Sequence, residues 1–248
     1  MTKKFVTVLY LVFLLALFCI IDWKSHSVSD TLFGFALPFV GVTALLAAYY
    51  RSEMDDEDPL PHSSLILKEI KRAHSILLHC HPSPDPDSVG SVLAMKYGLE
   101  SLGKKVTVIQ GDSEIPAAFL HFPGAHEIVK KNFGEVNLKE FNLFLILDSG
   151  SPEMISRKQP PTFPLSIETI VIDHHASNKG YANVNLIATA PSTTYVLYRL
   201  FKEWGIVITP EIASNLFIGM YTDTGGFRYR PTDQKTFKIA TELVKIVP

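Results

Sequence analysis

Cysteine is nearly absent from this 248-residue chain. The two present are Cys19, inside an uncharged run, and Cys80, at the end of a short apolar one. A fold stapled by disulfides is therefore excluded, and a reducing compartment suits the chain. An excess of basic charge is also missing: 23 Lys plus Arg stand against 25 Asp plus Glu, a formal charge of −2. No global positive field is available to hold duplex nucleic acid through counterion release, so any nucleic-acid substrate should be short. Internal repeats are lacking, which excludes a solenoid, and with 47% apolar and 19% charged residues the composition excludes disorder. The length leaves room for one large domain plus an appendage, or two small ones.

Long uncharged runs are confined to the N-terminus, Phe5 to Ile21 and Thr31 to Tyr50. At about 17 to 20 residues, each can cross a hydrocarbon core. A cleaved signal peptide is the alternative for the first, but Asp22-Trp23-Lys24 follows it rather than the small residues of a cleavage site. A buried core helix is the alternative for the second. The expectation is a transmembrane helical hairpin within residues 1–51, Pro38 being tolerable in such a span. Lys3, Lys4 and Arg51 at the outer ends outnumber Lys24 in the loop, which places both ends, and the globular part, on the cytoplasmic side of the cell membrane. The acidic, proline-bearing residues 52–62 read as a linker, and 63–248 as one α/β domain.

Within that domain, Ser63-Ser64 is read as the cap of a helix through LILKEIKRA, and Ser75 to Cys80 as a buried strand. Ser88 to Leu102 has helical spacing and ends at Gly103; Lys105 to Gln110 is a second strand. FNLFLIL (Phe141 to Leu147) and TIVI (Thr169 to Ile172) are two more, too apolar for a half-exposed sheet. Helices follow around Ser192 to Glu203, Pro210 to Met220 and Asp233 to Val247. Strands alternating with helices predict a doubly wound parallel sheet, with its site at the carboxyl ends of the strands.

Three of these strands run into metal-ligand types: His81-Pro-Ser-Pro-Asp85-Pro-Asp87, Asp148-Ser149-Gly150 and Asp173-His174-His175. Asp223 follows a helix in GMYTDTGGF. Each piece alone has a plainer explanation: prolines and aspartates form turns, and Asp-Ser-Gly is an ordinary loop. A buried strand ending in Asp-His-His carries a large desolvation cost unless its groups find partners. Carboxylates and imidazoles gathered in one crevice repel one another unless cations neutralise them, and mixed oxygen and nitrogen donors suit Mn²⁺, Mg²⁺, Fe²⁺ or Zn²⁺.

The strings HPSPDPDSVGS, LDSG, IDHH and GMYTDTGGFRY resemble, in order, the four motifs of the DHH phosphoesterases. That family includes RecJ exonucleases, nanoRNase and phosphoadenosine-phosphate phosphatases, cyclic-di-AMP phosphodiesterases and family II pyrophosphatases. The resemblance implies that His81, Asp85 and Asp148 hold one divalent cation and that Asp87, Asp148, His174 and Asp223 hold the other, Mn²⁺ first and Mg²⁺ second. It implies that His175 faces the scissile phosphate and that Asp173 orients the neighbouring imidazole. Two such cations would activate a water for hydrolysis of a phosphoester. Ser91 and Thr193, read as standing at helix starts, could bind phosphate through backbone N–H groups, although capping explains Thr193 equally well; Arg228 could reach a substrate phosphate or belong to a solvated loop.

The expected substrates are short single-stranded oligoribonucleotides or phosphoadenosine phosphate. A cyclic-di-AMP phosphodiesterase, a pyrophosphatase and a non-catalytic membrane-anchored nucleotide-binding protein are the alternatives. In the nucleotide-hydrolysing branches a second domain closes over the site, whereas this sequence ends at Pro248. The expectation is that the chain continues or that another chain, as in a homodimer, completes the site.

Overall fold

The computed structural model describes residues 58–158 and 161–247, together with Gly41. The apolar runs at 5–21 and, apart from Gly41, 31–50 lie outside them, as does Cys19; among the described residues no helix is long and apolar enough to cross a membrane. The described chain runs α1 (Ser63–Arg72), β1 (Ser75–His79), α2 (Pro86–Ser101), β2 (Lys105–Ile109), β3 (Leu143–Leu147), β4 (Glu168–Asp173), β5 (Val184–Ile187), α3 (Thr193–Trp204), α4 (Pro210–Asp223) and α5 (Gln234–Val244).

The five strands form one sheet in the order β2-β1-β3-β4-β5, every neighbouring pair parallel. Side chains alternate across the sheet, as the pleat requires. Ile76, Leu78, Leu143, Leu145, Leu147, Ile170 and Ile172 face the larger core, shared with α1 to α5. Leu77, Phe144, Ile146 and Val171 face a smaller one, closed by Phe133, Ile155, Ile167 and the rim residue Phe163. The strand order, which reverses direction at β1, is a doubly wound one as expected, but the two faces are covered differently. The α-helices gather against one face, and the other is covered by loops and by 3-10 turns such as Phe133–Glu135.

Several boundaries also move. Ser63 lies inside α1, its Oγ accepting from Trp204 Nε1 at 3.1 Å, and the preceding His62, in the left-handed region at φ 59°, makes no side-chain cap. Pro86 starts α2, and the Asp85 carboxylate caps it by accepting from Ser88 N at 2.9 Å. β5 has no counterpart among the sequence expectations: VNLI is four residues long with a polar Asn185 at its centre, too short for its alternation to register.

Register positions the chemistry. Leu147 pairs with Ile172, and Asp148 N donates to Ile172 O at 3.1 Å, so the chain after β3 emerges beside the end of β4. β1 pairs with β3 on the other side, which brings the loop after His79 to the same edge. On the larger core, α2 is buried from Asp87 through Lys96, with α4 packed tightly on it. A methyl group on Gly90 would come within 2.5 Å of the Asn215 carbonyl oxygen. Gly90→Ala should therefore force α2 and α4 apart and destabilise the domain by about 1–3 kcal/mol, read as a lower denaturant midpoint with unchanged slope. An unchanged midpoint would contradict this packing.

Candidate metal centre

At the carboxyl edge of the sheet, three sets of side chains bring potential ligand atoms within 4.8 Å of one another: His81, Asp85 and Asp148; Asp87, His174 and Asp223; and Asp148, His174 and His175. His81 Nε2 lies 3.7 Å from Asp85 Oδ2 and 3.5 Å from Asp148 Oδ2. His174 Nε2 lies 3.6 Å from Asp148 Oδ1 and 3.4 Å from Asp223 Oδ2. These separations are long for hydrogen bonds. They lie at or a few tenths of an ångström beyond the roughly 3.0–3.4 Å that separates two ligands about 2.1 Å from one ion at about 90–110° to each other, so small side-chain shifts would bring these donors onto a shared cation.

The imidazoles are oriented accordingly. His81 Nδ1 meets Pro82 O at 3.1 Å and His174 Nδ1 meets Ala190 O at 3.2 Å. A backbone carbonyl takes the Nδ1 proton in both, leaving Nε2 as the basic nitrogen turned to the carboxylates. His175 differs, because its Nδ1 is held by Asp173 Oδ1 at 2.8 Å and its side chain is 48% exposed. Asp173, in turn, is fully buried. Asp148, 2% exposed, adopts φ 51°, a left-handed conformation that aspartate tolerates better than most residues. The donor set and its spacing fit a pair of divalent cations bridged by Asp148.

Electrostatics point the same way. Burial, then the Asp148 and Asp223 carboxylates, push the Asp87 pKa well above the usual range. Burial also raises Asp223, with Asp148 and Asp85 adding to the effect against an opposing His174. At His81, burial disfavours the cation, but Asp148 and Asp85 outweigh it and raise the pKa to about 10. The hydrogen bond that His175 donates to Asp173 raises its pKa to about 9 despite partial burial. Without cations this cluster holds protons that metal binding would displace.

The start of α3 supplies donors to the carboxylates. Asp87 Oδ2 accepts from Thr193 N at 2.7 Å, and Asp87 Oδ1 accepts from Thr194 N at 3.1 Å and from the Thr194 hydroxyl at 2.6 Å. The Thr193 hydroxyl donates to Asp148 Oδ1 at 3.0 Å. Ser192 Oγ caps the helix, accepting from Tyr195 N at 3.0 Å. The N-terminus of this helix is already engaged, by a carboxyl group of the protein itself. Thr193, expected to contact substrate, is fully buried with its donors spent on Asp87 and Asp148. Ser91 lies in the second turn of α2, fully buried, rather than at a helix start. Arg228 is exposed, and its Nε donates to Gly225 O at 2.7 Å. These positions correct the helix-start placement of Ser91 and leave Thr193 no free donor for phosphate.

Residues absent from the sequence expectations also shape the site. Ser113 Oγ accepts from Ser83 N at 2.9 Å, tying the loop after β1 to the turn after β2. Asn178 Nδ2 donates to Asp173 Oδ2 at 2.8 Å, and Tyr181 OH donates to Ser149 O at 2.7 Å. The polar residue closing the Asp173-to-Asn178 turn was the only local signal for this bracing.

Two outcomes follow. Thr194→Val keeps the side-chain shape against Gly90 and Gly219 but removes the hydroxyl from Asp87, so Mn²⁺ affinity at one of two sites should fall about 10–100-fold by calorimetry. Affinity unchanged from wild type at both sites would contradict the bracing. The second concerns pH. His81 has its pKa raised from 6.5 to about 10 on folding, so its contribution to stability is complete below 6.5 and is lost as pH rises through 10. Raised Asp87 works in the same direction, since ionising it in the fold is disfavoured. Metal-free protein should therefore lose thermal stability between about pH 6.5 and 10, and Mn²⁺ should raise Tm more at pH 8 than at pH 6. The reverse order would show that these groups do not titrate as stated.

Comparison with known proteins shows what the chain is similar to in sequence and fold. The N-terminal domain of the DHH family matches residues 75–220, from β1 into α4. The bifunctional oligoribonuclease and PAP phosphatase NrnA of Bacillus subtilis (strain 168) is 28% identical over 185 residues, 73% of this chain and 56% of that protein. A probable manganese-dependent inorganic pyrophosphatase of Streptococcus mutans is 29% identical over 184 residues, 69% of this chain and 55% of that protein. Among solved structures, an exopolyphosphatase-related protein from Bacteroides fragilis superposes with a TM-score of 0.68 at 26% identity, covering 77% of this chain and 58% of that one. The chain thus spans little more than half the length of these relatives. With the family domain matched across most of the sheet and its helices, this chain belongs to the DHH family.

Proposed function

We propose that this protein is a metal-dependent phosphoesterase that hydrolyses short oligoribonucleotides or phosphoadenosine phosphate. The observation that carries the reading is the placement of Asp148 within ligand distance of donors from two sets, with His81 on one side and His174 on the other. His81, Asp85 and Asp148 would hold one divalent cation, and Asp87, Asp148, His174 and Asp223 the second. When bound, the pair supplies Lewis acidity and makes a water nucleophilic near neutral pH.

The protein's own groups supply the rest. Asp173 fixes the Nδ1 side of His175, leaving Nε2 to meet the phosphoryl oxygens. The hydrogen bond to Asp173 raises the His175 pKa to about 9 in the metal-free protein, which favours the protonated imidazole that would stabilise developing negative charge or give a proton to the leaving oxygen. Thr193 and Thr194 hold Asp148 and Asp87 in place, so the charged groups need little rearrangement as the reaction proceeds.

Activity on oligoribonucleotides and phosphoadenosine phosphate is the named activity of the B. subtilis relative, and manganese is named for the S. mutans one; both support the choice of substrate and of Mn²⁺ over Mg²⁺. The acidic net charge supports short single strands rather than duplexes. The two uncharged runs support a membrane tether with the catalytic domain, 63–248, on the cytoplasmic side.

The test is a set of kcat/KM values with Mn²⁺ for a diribonucleotide, phosphoadenosine phosphate, cyclic-di-AMP and pyrophosphate. One of the first two should be highest. Asp148→Ala should abolish turnover and metal occupancy, and Asp87→Ala should reduce both less. Preference for cyclic-di-AMP or pyrophosphate would replace the substrate assignment, and bound metal without turnover on any of the four would indicate a nucleotide-binding protein.

A further inference from the structure

Asn178 joins two of the turns that carry the site, and neither the metal ligand sets nor the hydrophobic cores account for it. Its side chain is buried, at 5% exposure. Nδ2 donates to Asp173 Oδ2 at 2.8 Å and to Ser149 O at 3.3 Å, while Oδ1 accepts from Gly180 N at 2.9 Å. The amide orientation follows from its partners: a carboxylate and a carbonyl can only accept, and a backbone N–H can only donate. Both amide protons are therefore committed, one to the β4 end and one to the turn that follows Asp148. Asn178 N also donates to His175 O at 3.0 Å, closing the turn on itself.

The consequence for Asp173 is geometric. Its Oδ1 holds His175 Nδ1 at 2.8 Å and its Oδ2 is held by Asn178. With both oxygens engaged, the carboxylate cannot rotate about its terminal torsion, and the plane of the His175 ring is set. Remove the amide and a fully buried carboxylate oxygen is left unpaired, with a strong incentive to turn toward another donor. Tyr181 OH shares the Ser149 carbonyl, and its backbone is held by Asn185 Oδ1 at 3.0 Å, so the segment that presents Asn178 is itself braced.

We propose that Asn178 is a positioning residue. It locks the Asp173 carboxylate that orients His175, and through Ser149 O it holds the Asp148 turn in fixed relation to that imidazole. The proposal rests on the phosphoesterase reading for the task of His175, while the amide-carboxylate-imidazole chain can be measured without turnover.

The test uses the full chain. In the wild type, a low-field, exchange-protected ring N–H proton resonance, assigned as the one lost in His175→Gln, should report the bond to Asp173. Asn178→Asp, of equal size but with the donor replaced, should lose that protection, as should Asn178→Ser, whereas Tyr181→Phe should keep it. With Mn²⁺ and a diribonucleotide, Asn178→Asp should lower kcat about 10–100-fold, leave KM within about twofold, and retain the wild-type metal stoichiometry. The assignment is overturned if the wild type shows no such resonance, if the variants keep both resonance and kcat, or if kcat falls only in proportion to lost metal. Should the wild type bind metal and turn over no nucleotide, the phosphoesterase reading fails and the resonance alone decides the role of Asn178.

Discussion

The structure depends on one electrostatic constraint: Asp87, Asp148 and Asp223 are gathered at the edge of an apolar sheet, where burial and the neighbouring carboxylates disfavour the charge on Asp87 and Asp223. In a medium of effective dielectric near 20, two like charges 4 Å apart repel by about 4 kcal/mol. Asp148 and Asp87 are each only 2% exposed, so water does little to relieve this. The fold meets the constraint partly with its own donors. α3 begins where Asp87 needs N–H groups, and Thr193 gives its hydroxyl to Asp148. In the metal-free protein a protonated His81 supplies part of the counter-charge, and bound divalent cations would supply the rest.

Much of the remaining architecture follows from that need. The parallel register places the ends of β1, β3 and β4 side by side, so ligands far apart in sequence converge without long loops. Close helix packing at Gly90 and Gly219 brings α4, with Asp223 at its end, near Asp87; a methyl group on Gly219 would meet Thr194 Cγ2 at 2.5 Å and Asp87 Oδ1 at 2.9 Å. Asp148, with a left-handed backbone, places Oδ2 beside His81 Nε2 and Oδ1 beside His174 Nε2. Positions that look permissive in the sequence are thus among the least replaceable.

The strands and the long helices were legible because buried parallel strands are short apolar runs and the helices keep their spacing. The site residues were legible because ligand-type side chains directly follow three of those runs. Other features were hidden for definable reasons. β5 is a four-residue edge strand with a polar centre. The helix-poor second face is covered by 3-10 turns, whose period is too brief to register as a pattern. At Thr193 the sequence leaves phosphate binding and capping equally open, since a helix N-terminus attracts anions of any origin and nothing local says that Asp87, 106 residues away, already occupies it. Asn178 was invisible because its function lies in what it touches rather than in its own chemistry.

The central claim is that Asp148 is shared by two cations in one crevice. The most direct measurement is Mn²⁺ titration of the metal-free chain followed by electron paramagnetic resonance. The account predicts two ions per chain with a spin-coupled spectrum, and loss of the coupling in Asp148→Asn. A single ion per chain, or two ions whose spectra stay uncoupled and unaffected by Asp148→Asn, would contradict it.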